Sequence, residues 1–366
     1  MEPVAVYIHI PFCPSKCGYC DFNSYAMTGE IVERTSRAIV NEIERSAHRG
    51  RPAKTIYFGG GTPTFIPTEQ LLSIFSAVTR VHPPVSDCEI SSEANPGTVD
   101  REKFRIMREA GFNRISIGGQ SFDNRELVRL ERIHQSADIE RAVVSAREAG
   151  FDNINLDLMF ALPGQSFRTW QKNLKHTLDL ELDHLSLYCL TIEPNTKFYR
   201  RWLKGELELP EEEEQIAMYD YAVAEAESKG FRQYEISNFA KPGKECRHNL
   251  CYWRGEEYAA YGPGAVEQVG GIRWTHIKHP VRYCEAVEEG GDLACEKEFL
   301  TDEIRKEEAI MLGLRLNEGV TLDKIDPSPN ALNKLIEKGW IARENGRIRL
   351  TKEGRHYCNQ VIVEVL

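Results

Sequence analysis

The sequence has no apolar run approaching the ~18 residues that a membrane-crossing helix requires, so no membrane span is expected. It has no surplus of positive charge: 46 Lys and Arg stand against 56 Asp and Glu, for a formal net charge of −10. No basic stripe stands out either, so nucleic acid is not an expected partner. The N-terminal stretch lacks the order of a secretory leader (charge, apolar segment, small cleavage-site residues) and enters a strand-like run at Val4–Ile10. The cytoplasm is the expected compartment. Paired short cysteine motifs are missing as well. Of ten cysteines, Cys13, Cys17 and Cys20 fall close together, while Cys88, Cys189, Cys246, Cys251, Cys284, Cys295 and Cys358 are scattered. In a reducing compartment this pattern argues against a disulfide framework. Most of the scattered cysteines read as small buried hydrophobes.

The 366 residues are 41% hydrophobic, enough for a large core arranged as two domains or as one barrel with an appendage. Apolar, β-branched runs occur at Val4–Ile10, Thr55–Phe58, Cys88–Ser92, Arg114–Ile117, Asn153–Met159 and His184–Leu190. Helical patterns separate them at Ile31–His48, Thr68–Val81, Asp100–Ala110, Ala137–Ala149 and Ser166–Leu180. Such alternation predicts parallel βαβ units. An internal repeat agrees: Arg108-Glu-Ala-Gly111-Phe112-Asn-Arg-Ile115 recurs as Arg147-Glu-Ala-Gly150-Phe151-Asp-Asn-Ile154, each glycine ending a helix before the next strand. The predicted fold is α/β, a partial (β/α)6 barrel over residues 1–235. A connecting segment (236–299) follows, then a small helical, winged-helix-like C-terminal domain (300–366). Asn345-Gly346 predicts the turn of a hairpin in that domain. The acids Glu211 to Glu214 after Pro210 read as the first turn of a helix ending near Gly230. Parallel barrels carry their chemistry at the C-terminal strand ends.

The first such end reads Tyr7-Ile-His-Ile-Pro-Phe-Cys13-Pro-Ser-Lys-Cys17-Gly-Tyr19-Cys20-Asp-Phe22. Three thiolates on one short loop suit three corners of a [4Fe–4S] cluster and leave one iron open. A zinc site would need a fourth ligand, for which His9 is the candidate. Three buried thiols are the other alternative. Cys-x3-Cys-x2-Cys after a first strand resembles the radical S-adenosylmethionine (SAM) superfamily. That resemblance implies that SAM chelates the open iron through its amino acid end. It also implies that an electron from the reduced cluster releases a 5′-deoxyadenosyl radical.

Gly59-Gly60-Gly61-Thr62-Pro63 follows the second strand. Taken alone it is a turn; near a cluster it offers backbone groups to a ligand. Glu93, Gln120, Arg132 and Asp157 fall at or near later strand ends, and each alone reads as a rim salt bridge. Asp157 interrupts an apolar run, so a cation or ligand is expected beside it. Together these residues are similar to the coproporphyrinogen-oxidase-like branch of the superfamily. The resemblance implies SAM contacts from Tyr7 and Tyr19 near the cluster, and from Gly60, Gly61 and Thr62 at the amino group. It further implies Glu93, Gln120, Arg132 and Asp157 around carboxylate and ribose, and Thr191 beside the adenine.

Within that branch the oxidase carries a further cysteine where this chain has Phe22, and a longer segment before the motif. Both departures count against decarboxylation. His248-Asn249-Leu-Cys-Tyr252-Trp253 instead resembles the mark of the branch's haem chaperones. A histidine can ligate haem iron and aromatics can cover the macrocycle, though a packed core histidine is the commoner reading of those residues alone. Cys246 and Cys251 flank the histidine as alternative thiolates. The resemblance implies a haem chaperone that binds haem through His248, Asn249, Tyr252 and Trp253 and passes it to an acceptor protein. The alternative it leaves is an oxygen-independent coproporphyrinogen III oxidase, or another radical SAM enzyme acting on a tetrapyrrole. A homodimer stays open.

Overall fold

A computed structural model describes residues 1–324 and 328–366. Six parallel strands form the centre: β1 (Val4–Ile10), β2 (Ala53–Gly60), β3 (Pro84–Ala94), β4 (Arg114–Gln120), β5 (Ile154–Phe160) and β6 (His184–Cys189). The helices between them are α1 (Glu30–Glu44), α2 (Thr68–Val81), α3 (Arg101–Ala110), α4 (Asn124–Arg129), α5 (Ser136–Glu148) and α6 (Phe167–Leu178). Strands β1 to β6 lie side by side in chain order. Their apolar residues pack against the helices in one continuous core. This is the partial (β/α)6 barrel, and strands buried on both faces explain why the sequence reads as near-continuous apolar runs.

Local chemistry sets the boundaries. The side chain of Asp100 accepts from the Lys103 amide at the start of α3, and Ser166 does the same for Thr169 at α6. Both glycines of the repeat sit at positive φ, Gly111 at 120° and Gly150 at 91°. The amide after each one bonds back into its helix, from Phe112 to Met107 and from Phe151 to Ala146. Phe112 and Phe151 are then buried, against Phe75 and Phe104 respectively.

After α7 (Lys197–Leu203) and α8 (Glu212–Ser228), β7 (Arg232–Gln233) and β8 (Asn238–Ala240) cover the β6 edge antiparallel. The chain then crosses through α9 (Arg247–Trp253) to the opposite edge. There β9 (Tyr258–Tyr261) pairs parallel to β1, and β10 (Val266–Val269), β11 (Ile272–His276) and β12 (Ala294–Phe299) follow antiparallel, with α10 (Pro280–Glu289) between the last two. Among the described residues the sheet has twelve strands.

The C-terminal part has its own core, including Leu314, Leu335, Ile348 and Val361. It comprises α11 (Asp302–Gly313), β13 (Val320–Thr321), α12 (Pro329–Glu337), β14 (Ile341–Glu344), β15 (Arg347–Leu350), α13 (Lys352–His356) and α14 (Cys358–Val365). Strands β13, β15 and β14 form a small antiparallel sheet. Asn345 and Gly346, at φ 50° and 74°, make the hairpin turn.

Candidate functional site

The loop after β1 is folded back on itself. Phe12 and Tyr25 pair as a β-bridge, and the Cys13 amide donates to the Tyr25 carbonyl. Lys16 donates to the carbonyls of Phe22 and Ser24, closing the loop from inside. All three thiols are unpaired and half-buried. Together they line a cavity of about 410 Å3 at the C-terminal ends of the strands. Burial pushes the Cys13 and Cys20 thiols above their ordinary pKa, so a bound cation is what would hold them as thiolates. Among the described residues, no three His, Cys, Asp or Glu side chains converge on a point for one metal ion. His9 is no fourth zinc ligand here: one ring nitrogen meets Tyr7 Oη at 3.1 Å and the other meets the Asn23 carbonyl at 2.9 Å.

The opposite walls of the cavity are polar. Gly60, Gly61 and Thr62 form one side, with Thr62 Oγ1 3.5 Å from Cys13 Sγ. A Cβ on Gly61 would stand 2.6 Å from the Phe12 carbonyl oxygen, so only glycine lets the loop and strand approach this closely. Glu93 accepts from Tyr57 Oη at 3.0 Å and from the Gly60 amide at 3.2 Å. Burial and then the neighbouring charge of Asp157 raise its carboxyl to about 7. Asp157 is likewise pushed up by burial; it accepts from Asn155 Nδ2 at 2.7 Å and Ser116 Oγ at 3.3 Å. Arg132 donates to the Gly118 carbonyl at 2.6 Å and points another nitrogen at Cys17 Sγ, 3.6 Å away. Its Nε is buried with no hydrogen-bond partner. Gln120 holds a strained φ of 69° on the same rim. Tyr19 and Thr191 complete the set.

Glu93, Arg132 and Asp157 make no ion pair among the described residues, so the rim-salt-bridge alternative finds no partner there. Two carboxyls, a cation with a free donor and a glycine cradle facing three thiols suit a zwitterionic ligand. Of the residues the resemblance assigns to SAM, Tyr7 alone stands behind the wall: its ring lies 3.0 Å from where a Gly59 Cβ would be.

Residues 7–176 match the family described as the Radical SAM superfamily, and residues 300–357 match the HemN C-terminal domain. The protein named "Heme chaperone HemW" of Bacillus subtilis is 39% identical over 98% of this chain and 97% of its own length. Its namesake of Escherichia coli is 36% identical over 99% and 98%. The chain belongs to the HemW family. The solved structure titled "Coproporphyrinogen III oxidase (HemN) from Escherichia coli is a Radical SAM enzyme" superposes with a TM-score of 0.85 at 22% identity, covering 100% of this chain and 90% of that one. It shows the shared fold.

The histidine motif of this HemW-family chain has a different setting. His248 lies outside the thiol-lined cavity, 0% exposed on α9. Its Nδ1 meets Thr55 Oγ1 at 2.8 Å and its Nε2 meets Tyr252 Oη at 2.9 Å. Burial lowers its pKa to about 3. Tyr57 stacks on the ring at 5.0 Å and Tyr252 stands edge-on. Tyr252 is therefore spent on the histidine, and Asn249 and Trp253 are half-buried on the same short helix. Glu89 anchors that helix by accepting from the Arg247 and His248 amides. Both ring nitrogens of His248 are thus engaged within the protein, so a ligand role would require Thr55 or Tyr252 to give up its contact. Cys246 and Cys251 are buried beside it.

The cavity also contains residues that sequence reasoning missed: Ser116, Tyr188 and Cys189. Cys189 is exposed at the end of β6, whereas Cys88, Cys246, Cys251 and Cys284 are buried, as expected for most of the scattered cysteines. Tyr188 and Cys189 belong to a strand whose first four residues are buried and whose last two are exposed. A polar pair closing an apolar strand was the available signal.

Proposed function

We propose that this chain is a haem chaperone that carries a [4Fe–4S] cluster and SAM and passes haem to an acceptor protein. The observation that carries the cluster and SAM is that Cys13, Cys17 and Cys20 share one cavity with Glu93, Gln120, Arg132, Asp157 and the Gly60–Thr62 cradle. The three thiols would ligate three irons; the orphaned Arg132 Nε and the two carboxyls would take the charged ends of SAM. When bound, the pair would supply one-electron chemistry at the sulfonium. The haem role is supported by full-length similarity to relatives named for it.

Anaerobic reconstitution tests the reading. The protein should hold about four irons and four sulfides, and SAM should perturb the spectrum of the reduced cluster. Cys17→Ala should be colourless, and Arg132→Ala should keep the cluster while losing most of the SAM response. Retention of a full cluster by Cys17→Ala would refute the assignment. A second reading, a radical SAM enzyme acting on a tetrapyrrole, is favoured by the complete polar wall around the thiols. Phe22, 64% exposed at the cavity where the oxidase carries its extra cysteine, weighs against it. Coproporphyrinogen III should therefore not be converted above the SAM-free rate.

A further inference from the structure

Strand β2 serves two places in the molecule at once. Its side chains alternate, so Thr55, Tyr57 and Gly59 fall on the same face. Thr55 Oγ1 lies 2.8 Å from His248 Nδ1. Two residues on, the Tyr57 ring stacks on His248 with centroids 5.0 Å apart. The same tyrosine, 8% exposed, donates its hydroxyl to Glu93 at 3.0 Å. Glu93 lines the thiol cavity and His248 does not. One buried side chain therefore touches both the cavity wall and the histidine motif. Tyr7 braces it, its ring centroid 6.3 Å from that of Tyr57 and 6.2 Å from that of His248.

The other cavity carboxyl reaches the same helix. Asn155 donates to Asp157 at 2.7 Å, and its carbonyl oxygen accepts from His184 Nδ1 at 2.6 Å. His184 Nε2 accepts from Tyr234 Oη at 2.8 Å, which in turn accepts from the Cys246 amide at 3.4 Å. Cys246 is the residue on which α9 begins. Both carboxyls of the cavity are thus joined through buried contacts to the helix that carries His248.

We infer that Tyr57 is a positioning residue that couples the two sites: a cationic ligand group against Glu93 holds His248 packed, and its departure frees the histidine to ligate. The inference rests on the haem and SAM reading above. His248 is the two-state element. Packed, it spends its nitrogens on Thr55 and Tyr252; to take an iron it must give up one of them. A cation beside Glu93 keeps the carboxyl ionised, and an ionised acceptor makes the stronger bond to the tyrosine hydroxyl. That bond fixes the Tyr57 ring over His248. SAM and haem therefore oppose each other, and by linkage each weakens the other by the same factor.

Haemin titration of the full-length, cluster-loaded protein, followed by the Soret band without and with saturating SAM, tests it. The cluster is left oxidised so that SAM is not consumed. SAM should weaken haemin binding at least about fivefold, the low end of coupling between sites. Saturating haemin should weaken SAM binding by the same factor, read by equilibrium dialysis of labelled SAM. Tyr57→Phe keeps the ring and removes the hydroxyl. Its haemin affinity without SAM should match the wild type, and the SAM effect should vanish; a purely structural tyrosine would lower stability and leave that ratio unchanged. No SAM effect in a wild-type protein that binds both ligands would overturn the coupling and leave the proposed function standing. The full SAM effect persisting in Tyr57→Phe or in His248→Ala would overturn the route through these residues. Failure of the wild-type protein to bind haemin or SAM would overturn the reading beneath it.

Discussion

At the scale of single residues, burial sets the protonation of the two carboxyls in the thiol-lined cavity. Glu93 and Asp157 are both raised above ordinary carboxylate values by burial, and Glu93 sits at about 7. A carboxyl whose folded pKa exceeds its unfolded value binds more protons folded than unfolded between the two. Its contribution is therefore most favourable below the unfolded pKa and is lost as pH rises through the window up to about 7. The ligand-free protein should lose thermal stability over that interval, and Glu93→Gln should flatten the decline. An unchanged pH profile in the variant, measured by melting at several pH values, would show that Glu93 does not titrate there. His248 shows the limit of residue-level reading. Its neighbours in sequence suggest a ligand, but Thr55, 193 positions away, takes one nitrogen and Tyr252 takes the other. Only the folded register of β2 reveals that.

At the scale of elements, the strand–helix rhythm is legible because strands buried on both faces and helices with one apolar face carry different periods. The repeat makes the point: Gly111 ends α3 where the sequence places it, and Phe112 is driven into the core beside Phe58 and Phe75. Phe112→Ala should cost about 3–5 kcal/mol, the range for deleting a buried phenylalanine. Urea unfolding would read it as a lower midpoint at unchanged slope. The strands β9 to β12 are not legible in the same way. Tyr258–Tyr261 is too short for a period, and β12, an edge strand of alternating charge, reads as loop. Those strands nonetheless extend the sheet beyond β1, which is invisible until the chain after α9 is seen to add to it. Tyr188 and Cys189 escape notice for a related reason: which strand residues face a cavity depends on where the strand leaves the sheet.

At the scale of the whole molecule, the barrel and the C-terminal part have separate cores, joined by Ile236, which packs on the second core, and by a set of polar contacts. Asn317 donates its amide to the Tyr234 carbonyl at 3.0 Å and its side chain to the Gln233 carbonyl. Arg355 donates to Asn317 Oδ1 at 2.8 Å and to the Gln233 side chain, and His356 meets Asp220 at 2.7 Å. Tyr234 also faces inward, its hydroxyl 2.8 Å from His184 Nε2, with His184 bonded in turn to Asn155 beneath Asp157. Gln233 is 5% exposed, so removing the arginine leaves its Oε1 buried without that donor, while its Nε2 keeps Tyr219 and the Ile236 carbonyl. Arg355→Ala should therefore weaken the coupling of the two cores more than it weakens either core. A single cooperative melting transition should broaden or split, with the C-terminal part unfolding first. Cluster content should stay at the wild-type level, because the thiol loop touches none of these residues. A single transition merely shifted to lower temperature, at constant width, would mean that the two parts unfold as one unit despite their separate cores.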